Sequence, residues 1–165
     1  MPLNLELKIK VDSHKKIEDV LNSLGAENKG LLIQKDIYYK IKKGLLKLRV
    51  ENDTFTLIKY LRDEKGKRWS NYELMKLEAK NPEKYLREIF EVDVIVQKKR
   101  KFYLYKNTRV HLDEVKNLGK FLELETLLVG DKLDAQKRFD EIVRLLNLDL
   151  SRQIRSSYKV LLMDR

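Results

Sequence analysis

The chain has 165 residues and a formal net charge of +10, from 36 lysines and arginines against 26 aspartates and glutamates. A chain of that length buries a substantial core without disulfides, and the absence of cysteine excludes disulfides, thiolate metal sites and a cysteine nucleophile. With only two histidines, a metal site would consist mainly of carboxylates, which favours magnesium, manganese or calcium. The positive charge favours an anionic partner, either a nucleic acid or a phosphorylated small molecule. No apolar segment is as long as a signal peptide or a membrane span, which predicts a cytoplasmic protein with no membrane partner.

The first half of the chain is predicted to consist mainly of strands. LNLELKIKV at residues 3–11 alternates apolar and polar residues, which indicates a half-buried strand. A helix follows, with Asp12 as its N-cap and Gly25 as its C-terminal stop. Residues 31–41 form the next strand, and residues 44–62 form a hairpin around the polar turn END. DEKGKR is predicted to be a charged loop.

The second half adds four strands and three helical or apolar segments. Strands are predicted at 69–79, 91–105, 108–115 and 120–129, and the short turns between the last three imply antiparallel neighbours. A short helix begins with Asn81 as cap and Pro82 at its first position. A longer helix is capped by Asp131, and the last apolar segment, SSYKVLLM, is expected to dock against the body.

Seven or eight antiparallel strands with few helices predict an α+β fold built on a closed or nearly closed barrel, with the helices packed on its outside; the family resemblance described below implies eight strands. Several strands carry charges on one face and aliphatic residues on the other. These charged faces hold Lys47, Arg49 and Glu51; Lys98 and Arg100; Arg109, His111 and Asp113; and Glu123 and Glu125. One interpretation is an ordinary apolar core with solvated charged faces. The other is a polar barrel interior, which is costly unless a polyanion and metal ions bind there.

The blocks NLELKIKV, QKDIYY, LKLRV, TLIKY, RVHLDEVKNLGKFLELE and SYKVLL resemble, in this order, the motifs of the CYTH superfamily. The resemblance covers most of the chain, implies a single CYTH-like domain over residues 1–165, and is strongest to the CyaB-type branch, the class IV adenylyl cyclases. It implies a triphosphate tunnel that uses Mg²⁺ or Mn²⁺. The implied metal ligands are Glu6, Glu123 and Glu125, with Asp113 as a further one. The implied triphosphate contacts are Lys8, Lys47, Arg49, Lys59, Lys98, Arg100, Arg109 and Lys159.

Two positions depart from a simple match. The family motif E-x-E-x-K has Asn4 in place of its first glutamate, which predicts weaker metal binding because an amide oxygen carries no charge. Lys59 shares its parity with the apolar residues Phe55, Leu57 and Leu61, so an inward Lys59 requires a bulge or a switch of facing. His111 could act as a base or orient the substrate, and Arg68 could reach a ligand from the charged loop.

The expected activity is therefore that of a CyaB-like cyclase, which converts ATP to cyclic AMP and pyrophosphate. Hydrolysis of inorganic or thiamine triphosphate is the alternative reaction, and non-catalytic binding of a triphosphate or polyanion is the alternative class. A nucleic-acid-binding barrel is less favoured, because the charges of QKKRK at residues 97–101 divide between both faces of a strand. A homodimer is compatible with the sequence.

Overall fold

The computed structural model describes residues 3–62 and 69–165, which contain eight strands and four α-helices. The strands are β1 (Leu3–Val11), β2 (Glu27–Tyr39), β3 (Leu45–Glu51), β4 (Thr54–Arg62), β5 (Trp69–Lys76), β6 (Val92–Tyr105), β7 (Thr108–Val115) and β8 (Gly119–Leu127). The helices are α1 (Lys15–Ser23), α2 (Pro82–Arg87), α3 (Lys132–Leu145) and α4 (Tyr158–Met163), with a 3₁₀ turn at Leu150–Arg152.

The strands pair in the order β1-β5-β4-β3-β2-β6-β7-β8, and β8 pairs again with β1, so the sheet closes into a barrel. All neighbouring pairs are antiparallel. In the described part of the pairing between β1 and β5, Leu3, Asn4 and Leu5 lie opposite Asn71, Ser70 and Trp69. The predicted eight-stranded antiparallel barrel with external helices is confirmed.

The outer face of the barrel carries most of the apolar core. Leu5, Leu7 and Ile9 of β1 point outward and pack with residues of β7 and β8 beneath α1 and α3. Leu48 of β3 packs in a second cluster beneath α2, which contributes Leu86. The helices have one apolar stripe each, so they cover the barrel from outside and leave the alternate, polar side chains to face inward.

Helix α4 closes one end of the barrel interior. Its Tyr158 packs against Phe121 with ring centroids 5.0 Å apart, and the same cluster includes Tyr38, Val96 and Val115. Ser157 caps this helix by accepting a hydrogen bond from the amide of Val160. Within the described residues, no helix is long and apolar enough to cross a bilayer.

The predicted helix caps hold in two of three cases. Asn81 and Asp131 accept hydrogen bonds from the amides of Lys84 and Asp134, as expected for α2 and α3. Asp12 is not a cap, because α1 begins later and its N-cap residue is His14, which makes no side-chain capping bond. The predicted loop DEKGKR lies outside the described residues.

Candidate functional site

The barrel encloses a cavity of about 460 Å³, a size typical of a site for a small organic ligand. Charged side chains reach it from five of the strands. Of the residues described, those that line it include the cations Lys8, Lys47, Arg49, Lys98, Arg100 and Arg109 and the carboxylates Glu6, Glu123 and Glu125. The interior is therefore polar, and the alternative of ordinary solvated charge rows does not apply to these side chains.

One wall of the cavity is a cluster of cations around Asp36. The register of the sheet places Asp36 of β2 opposite Arg49 of β3, while Lys98 comes from β6 on the other side of β2. The fully buried Asp36 carboxylate accepts hydrogen bonds from Lys47 at 3.0 Å, Arg49 at 2.8 Å and Lys98 at 2.8 Å. Burial alone would raise the pKa of Asp36, but these three cations hold it well below its usual value.

Among the described residues, Asp36 is the one carboxylate that pairs with these three cations, and the effect is seen in the pKa of Lys98. Burial lowers its pKa to about 7, the pull of Asp36 opposes that shift, and repulsion from Arg49, Arg100 and Lys47 adds to it. Positive charge is thus concentrated here beyond what Asp36 neutralises. An anion bound in the cavity would meet a partly unpaired cationic wall.

A second buried ion pair joins β6 to β7. Arg100 makes two hydrogen bonds of 2.7 Å to Asp113, and its Nη2 also lies 3.0 Å from Glu123. The hydroxyl of Tyr158 donates to Asp113 at 2.7 Å. Both oxygens of Asp113 are therefore engaged, and its side chain does not reach the cavity lining. The prediction of Asp113 as a further metal ligand is corrected, because this residue positions Arg100 and Tyr158 instead.

Three carboxylates form the opposite part of the lining. β1 and β8 are neighbours, which places Glu6 directly opposite Glu125, with Glu123 two residues along β8. The hydroxyl of Tyr60 donates to Glu6. Burial raises the pKa of Glu125 to about 7, and repulsion from Glu6 and Glu123 contributes to the rise. Glu123 differs from Glu125, because Lys8 and Arg100 hold its pKa below its usual value although burial opposes them.

Asn4 and His111 lie beside Glu125. Asn4 is buried, and its amide donates to Glu125 at 3.4 Å. The Nδ1 atom of His111 lies 3.6 Å from the same carboxylate. Burial, aided by repulsion from Arg100, lowers the pKa of His111 well below its usual value, so its imidazole is neutral at physiological pH. A neutral imidazole has one ring nitrogen that can accept a proton, so His111 can act as a base beside Glu125.

Lys8 and Arg109 complete the charged lining. Lys8 donates to the backbone carbonyl of Ser156 at 2.9 Å, and its Nζ lies 4.2 Å from the centroid of the Tyr158 ring. Arg109 is the more exposed of the two, and its Nη1 lies 3.6 Å from Glu125. Both side chains face the cavity from strands on either side of β8.

Two of the predicted triphosphate contacts, Lys59 and Lys159, do not line this cavity. Lys59 is exposed on the outer face of β4, where it lies 3.2 Å from Glu73, because the register of β3 with β4 continues without a bulge. The expectation that Lys59 contacts a triphosphate is therefore corrected, and Tyr60 takes the inward position. Lys159 pairs with Asp93 at 2.7 Å and is not part of the lining. Arg68 lies outside the described residues.

The carboxylates of the cavity are of the chemical type that binds a hard divalent cation, but they are not arranged as a preformed metal site. Over residues 3–62 and 69–165, no group of three or more carboxylate or histidine side chains is already set to hold a metal ion. However, Glu6, Glu123 and Glu125 line one cavity, and repulsion from Glu6 and Glu123 adds to burial in raising the pKa of Glu125. Oxygen ligands with excess negative charge are those that Mg²⁺ and Mn²⁺ prefer.

Sequence patterns alone indicate no role for Asp36, Tyr60 or Tyr158. Asp36 could have been found, since it shares its parity with Gln34 and interrupts an otherwise strand-like segment. Tyr60 was hidden by the assignment of its neighbour Lys59 to the interior. Tyr158 belongs to a helix, so strand alternation gives no information about where it points.

A closed eight-stranded barrel with cations and carboxylates facing one interior cavity defines a protein of the triphosphate-tunnel type. The CYTH domain family model matches residues 2–158, and the chain belongs to this family. A Methanocaldococcus jannaschii protein, named "Putative adenylate cyclase MJ0240", is 28% identical over 171 residues, which cover 94% of this chain and 96% of that protein.

Two solved structures share the fold. PH1012 of Pyrococcus horikoshii has a TM-score of 0.80 at 23% identity, covering 96% of this chain and 98% of that one. A Hippeastrum protein, described as the putative adenylyl cyclase HpAC1 with a dominant triphosphatase activity, has a TM-score of 0.71 at 12% identity, covering 100% and 97%. At these identities the likeness shows the fold alone.

Proposed function

We propose that this protein is a metal-dependent enzyme that acts on a triphosphate and converts ATP to cyclic AMP and pyrophosphate. The observation that supports it is the division of one enclosed cavity into a cationic wall and a carboxylate cluster. A polyphosphate would bind the cationic wall, and the metal ions that accompany it would bind the carboxylate cluster. Membership of the CYTH family supports the same class of substrate.

The residues divide between two roles. Lys8, Arg49 and Arg109 reach the cavity from three different strands and would contact phosphate oxygens, together with Lys47, Lys98 and Arg100. Glu6, Glu123 and Glu125 would hold Mg²⁺ or Mn²⁺. Such an ion, when bound, neutralises charge that develops on the phosphates.

The proposed reaction is an intramolecular displacement. The ribose 3′-oxygen forms a bond to the α-phosphorus, the bond from that phosphorus to the bridging oxygen breaks, and pyrophosphate leaves with the electron pair. The 3′-hydroxyl loses its proton. His111, which is neutral and lines the cavity, is a candidate to receive that proton. The cationic wall stabilises the leaving pyrophosphate.

Hydrolysis of an inorganic or thiamine triphosphate is the second candidate. Its supporting observation is that three of the lining cations, Lys8, Lys98 and Arg100, are buried, so the cavity can hold a triphosphate whatever group is attached to it. In that reaction a water oxygen attacks the terminal phosphorus and a diphosphate leaves. Binding without turnover is a third outcome, favoured by the replacement of a motif glutamate by Asn4.

The first test is an assay of ATP and tripolyphosphate with Mg²⁺ and with Mn²⁺. Cyclic AMP formed from ATP supports cyclisation, whereas phosphate released from tripolyphosphate without a cyclic product supports hydrolysis.

Arg109→Ala should lower kcat/KM by about 10- to 100-fold, because it removes a charge-assisted phosphate contact. Lys59→Ala is the matched control on the outer face and should stay within about twofold. Equal losses in both variants would contradict the assignment of the cavity.

Asn4→Glu tests whether the amide weakens the metal site. Because Asn4 is buried beside Glu125, the new carboxylate would join the cluster. We expect Mn²⁺ affinity to rise about tenfold and tripolyphosphate affinity without metal to fall, since the added charge attracts one ion and repels the other. Titration calorimetry measures both quantities. Asn4→Gln is the control, because glutamine has the length of glutamate without its charge. Equal changes of the two affinities in Asn4→Glu and Asn4→Gln would refute the role of charge.

A further inference from the structure

The outer face of β2 and β6 carries an apolar and basic surface that the proposed function does not use. Leu31 and Ile33 of β2 are 56% and 53% exposed. On β6, Lys101 and Lys99 lie opposite them and point away from the barrel cavity, unlike the other cations of the QKKRK segment. Lys101 pairs with Glu18 of α1 at 2.7 Å. The surface therefore combines exposed aliphatic side chains with lysines.

Two turns make this surface concave. The β3–β4 turn contributes Asn52 to one side, and the β7–β8 turn contributes Lys116 and Asn117 to the other. The groove between them has a volume of about 970 Å³, larger than that of the barrel cavity, so it has room for several side chains of a partner. We call it the lysine groove, and its lining includes Ile33, Lys35, Val50, Lys99, Glu114 and Lys116.

The part of the barrel around the lysine groove has no helix over it. Helices α1 and α3 pack on β1, β7 and β8, and α2 packs on β2 and β3 near Ile37 and Leu48. Over residues 3–62 and 69–165, neither Leu31 nor Ile33 belongs to any of the core clusters. Exposed apolar surface of this kind costs free energy that a covering partner recovers.

The pairing of the sheet decides how a partner can bind here. β2 pairs with β3 and β6, and β6 pairs with β2 and β7, so neither strand has an open edge along the groove. A partner therefore cannot add a strand. It must pack on the face through its side chains, as a helix packs on a sheet.

The lysines of the groove favour an acidic partner. Lys35 pairs with Glu83 at 2.6 Å, whereas Lys99 and Lys116 form no ion pair with a carboxylate of the described residues. Glu114 is the one carboxylate among the described residues of the lining. The groove thus offers two uncompensated cations beside its aliphatic side chains.

The net charge of the chain points the same way, because the barrel interior does not account for it. Six cations line the cavity and five carboxylates line it or pair with those cations: Lys8, Lys47, Arg49, Lys98, Arg100 and Arg109 against Glu6, Asp36, Asp113, Glu123 and Glu125. Of the 36 cations and 26 carboxylates of the chain, 30 and 21 remain, a net charge of +9 outside this set. Two such surfaces repel each other, which disfavours a second copy of this chain as the partner.

We propose that the lysine groove is the docking surface for an acidic amphipathic helix of another protein. The apolar stripe of that helix packs on Leu31 and Ile33, and its flanking carboxylates pair with Lys99 and Lys116. A nucleic acid fits less well, because the described lining has aliphatic side chains but neither an arginine nor an aromatic ring for stacking. The docking needs no ligand in the barrel cavity, so it is independent of the proposed function.

The test uses a fluorescein-labelled helical peptide of about 18 residues, in which one stripe of leucines is flanked by glutamates. Fluorescence anisotropy measures its affinity for the full chain. A peptide with lysines in place of the glutamates should bind at least about tenfold more weakly. Saturating tripolyphosphate should leave the affinity of the acidic peptide unchanged within about twofold. If neither peptide binds, if both bind equally, or if tripolyphosphate displaces the acidic peptide, the proposal is overturned.

Two pairs of variants locate the peptide. Ile33→Ser should weaken binding of the acidic peptide about fivefold through lost apolar contact, and Lys99→Glu should weaken it about tenfold through repulsion. Met75→Ser on the outer face of β5 and Lys137→Glu on α3 are the matched controls, because both residues are exposed away from the groove. Both controls should stay within about twofold. Equal losses in the controls would show that the peptide does not bind in the groove.

Two further measurements separate the other occupants. A labelled oligonucleotide that binds more tightly than the acidic peptide, and loses this affinity in Lys99→Glu, would assign the surface to a nucleic acid and overturn the proposal. Sedimentation velocity detects a second copy on the same face. A wild-type dimer that dissociates in Ile33→Ser would also overturn the proposal, whereas a monomer in both proteins is expected.

Discussion

Asp36→Asn is expected to lower the free energy of unfolding by about 3 kcal/mol at pH 7 without ligand, because removing one partner of a buried ion cluster leaves the other charges uncompensated. The wild-type carboxylate is fully buried and accepts hydrogen bonds from Lys47, Arg49 and Lys98. The asparagine keeps the volume, removes the charge and turns an amide donor toward the cations. The loss is limited because Lys98, whose pKa is already lowered to about 7, can release its proton.

Tripolyphosphate should stabilise Asp36→Asn more than it stabilises the wild type, since the polyanion supplies the negative charge that the variant lacks. Urea unfolding with and without millimolar tripolyphosphate measures both increments. Asp93→Asn is a matched control, because its carboxylate pairs with Lys159 outside the cavity. Equal increments in the wild type and both variants would show that the polyanion does not bind at the cluster around Asp36.

The sequence predicted the barrel and the facing of most strands because both follow from local patterns. Alternation in LNLELKIKV and RVHLDEV separates the inner Glu6 and Arg109 from the outer Leu7 and Val110, and short turns fix antiparallel neighbours. The facing of β4 was predicted less well. The family resemblance placed Lys59 inward although its parity with the apolar Leu57 and Leu61 argued for the outer face, and the strand has no bulge that would reverse its facing.

The partners of the inner charges could not be predicted, because they depend on strand pairing across the chain. β2 pairs with β6, which lies beyond a hairpin, a further strand and a helix, and this pairing brings Lys98 to Asp36. Asp113 carries the same charge as Glu123 and occupies a similar strand, yet Arg100 and Tyr158 take up its oxygens. The sequence gives the side on which a carboxylate points, but not how many donors meet it there.

Glu125→Gln is expected to raise the free energy of unfolding of the metal-free protein by about 2 kcal/mol at pH 8 and by much less at pH 5. Burial, with repulsion from Glu6 and Glu123, raises the pKa of Glu125 from 4.5 to about 7. The folded protein therefore binds this proton more tightly than the unfolded chain does. The stability that results is complete below about pH 4.5 and is lost as the pH rises through about 7. Glutamine cannot ionise, so the variant avoids the cost of a buried negative charge. The expected gain is smaller than the full pKa shift would give, because the Glu125 side chain is 17% exposed and water screens its charge.

The same substitution should lower metal-dependent turnover by at least about 100-fold, because it removes a charged oxygen ligand from the carboxylate cluster. A gain in stability together with a loss of activity is the pattern of a residue that is kept for its ligand rather than for packing. Thermal unfolding at both pH values and Mn²⁺-dependent turnover measure the two effects. Glu73→Gln, on the outer face beside Lys59, should change neither. If Glu125→Gln loses stability and activity together at pH 8, then Glu125 serves the fold as the partner of Arg109, and the metal ion must be held elsewhere in the cavity.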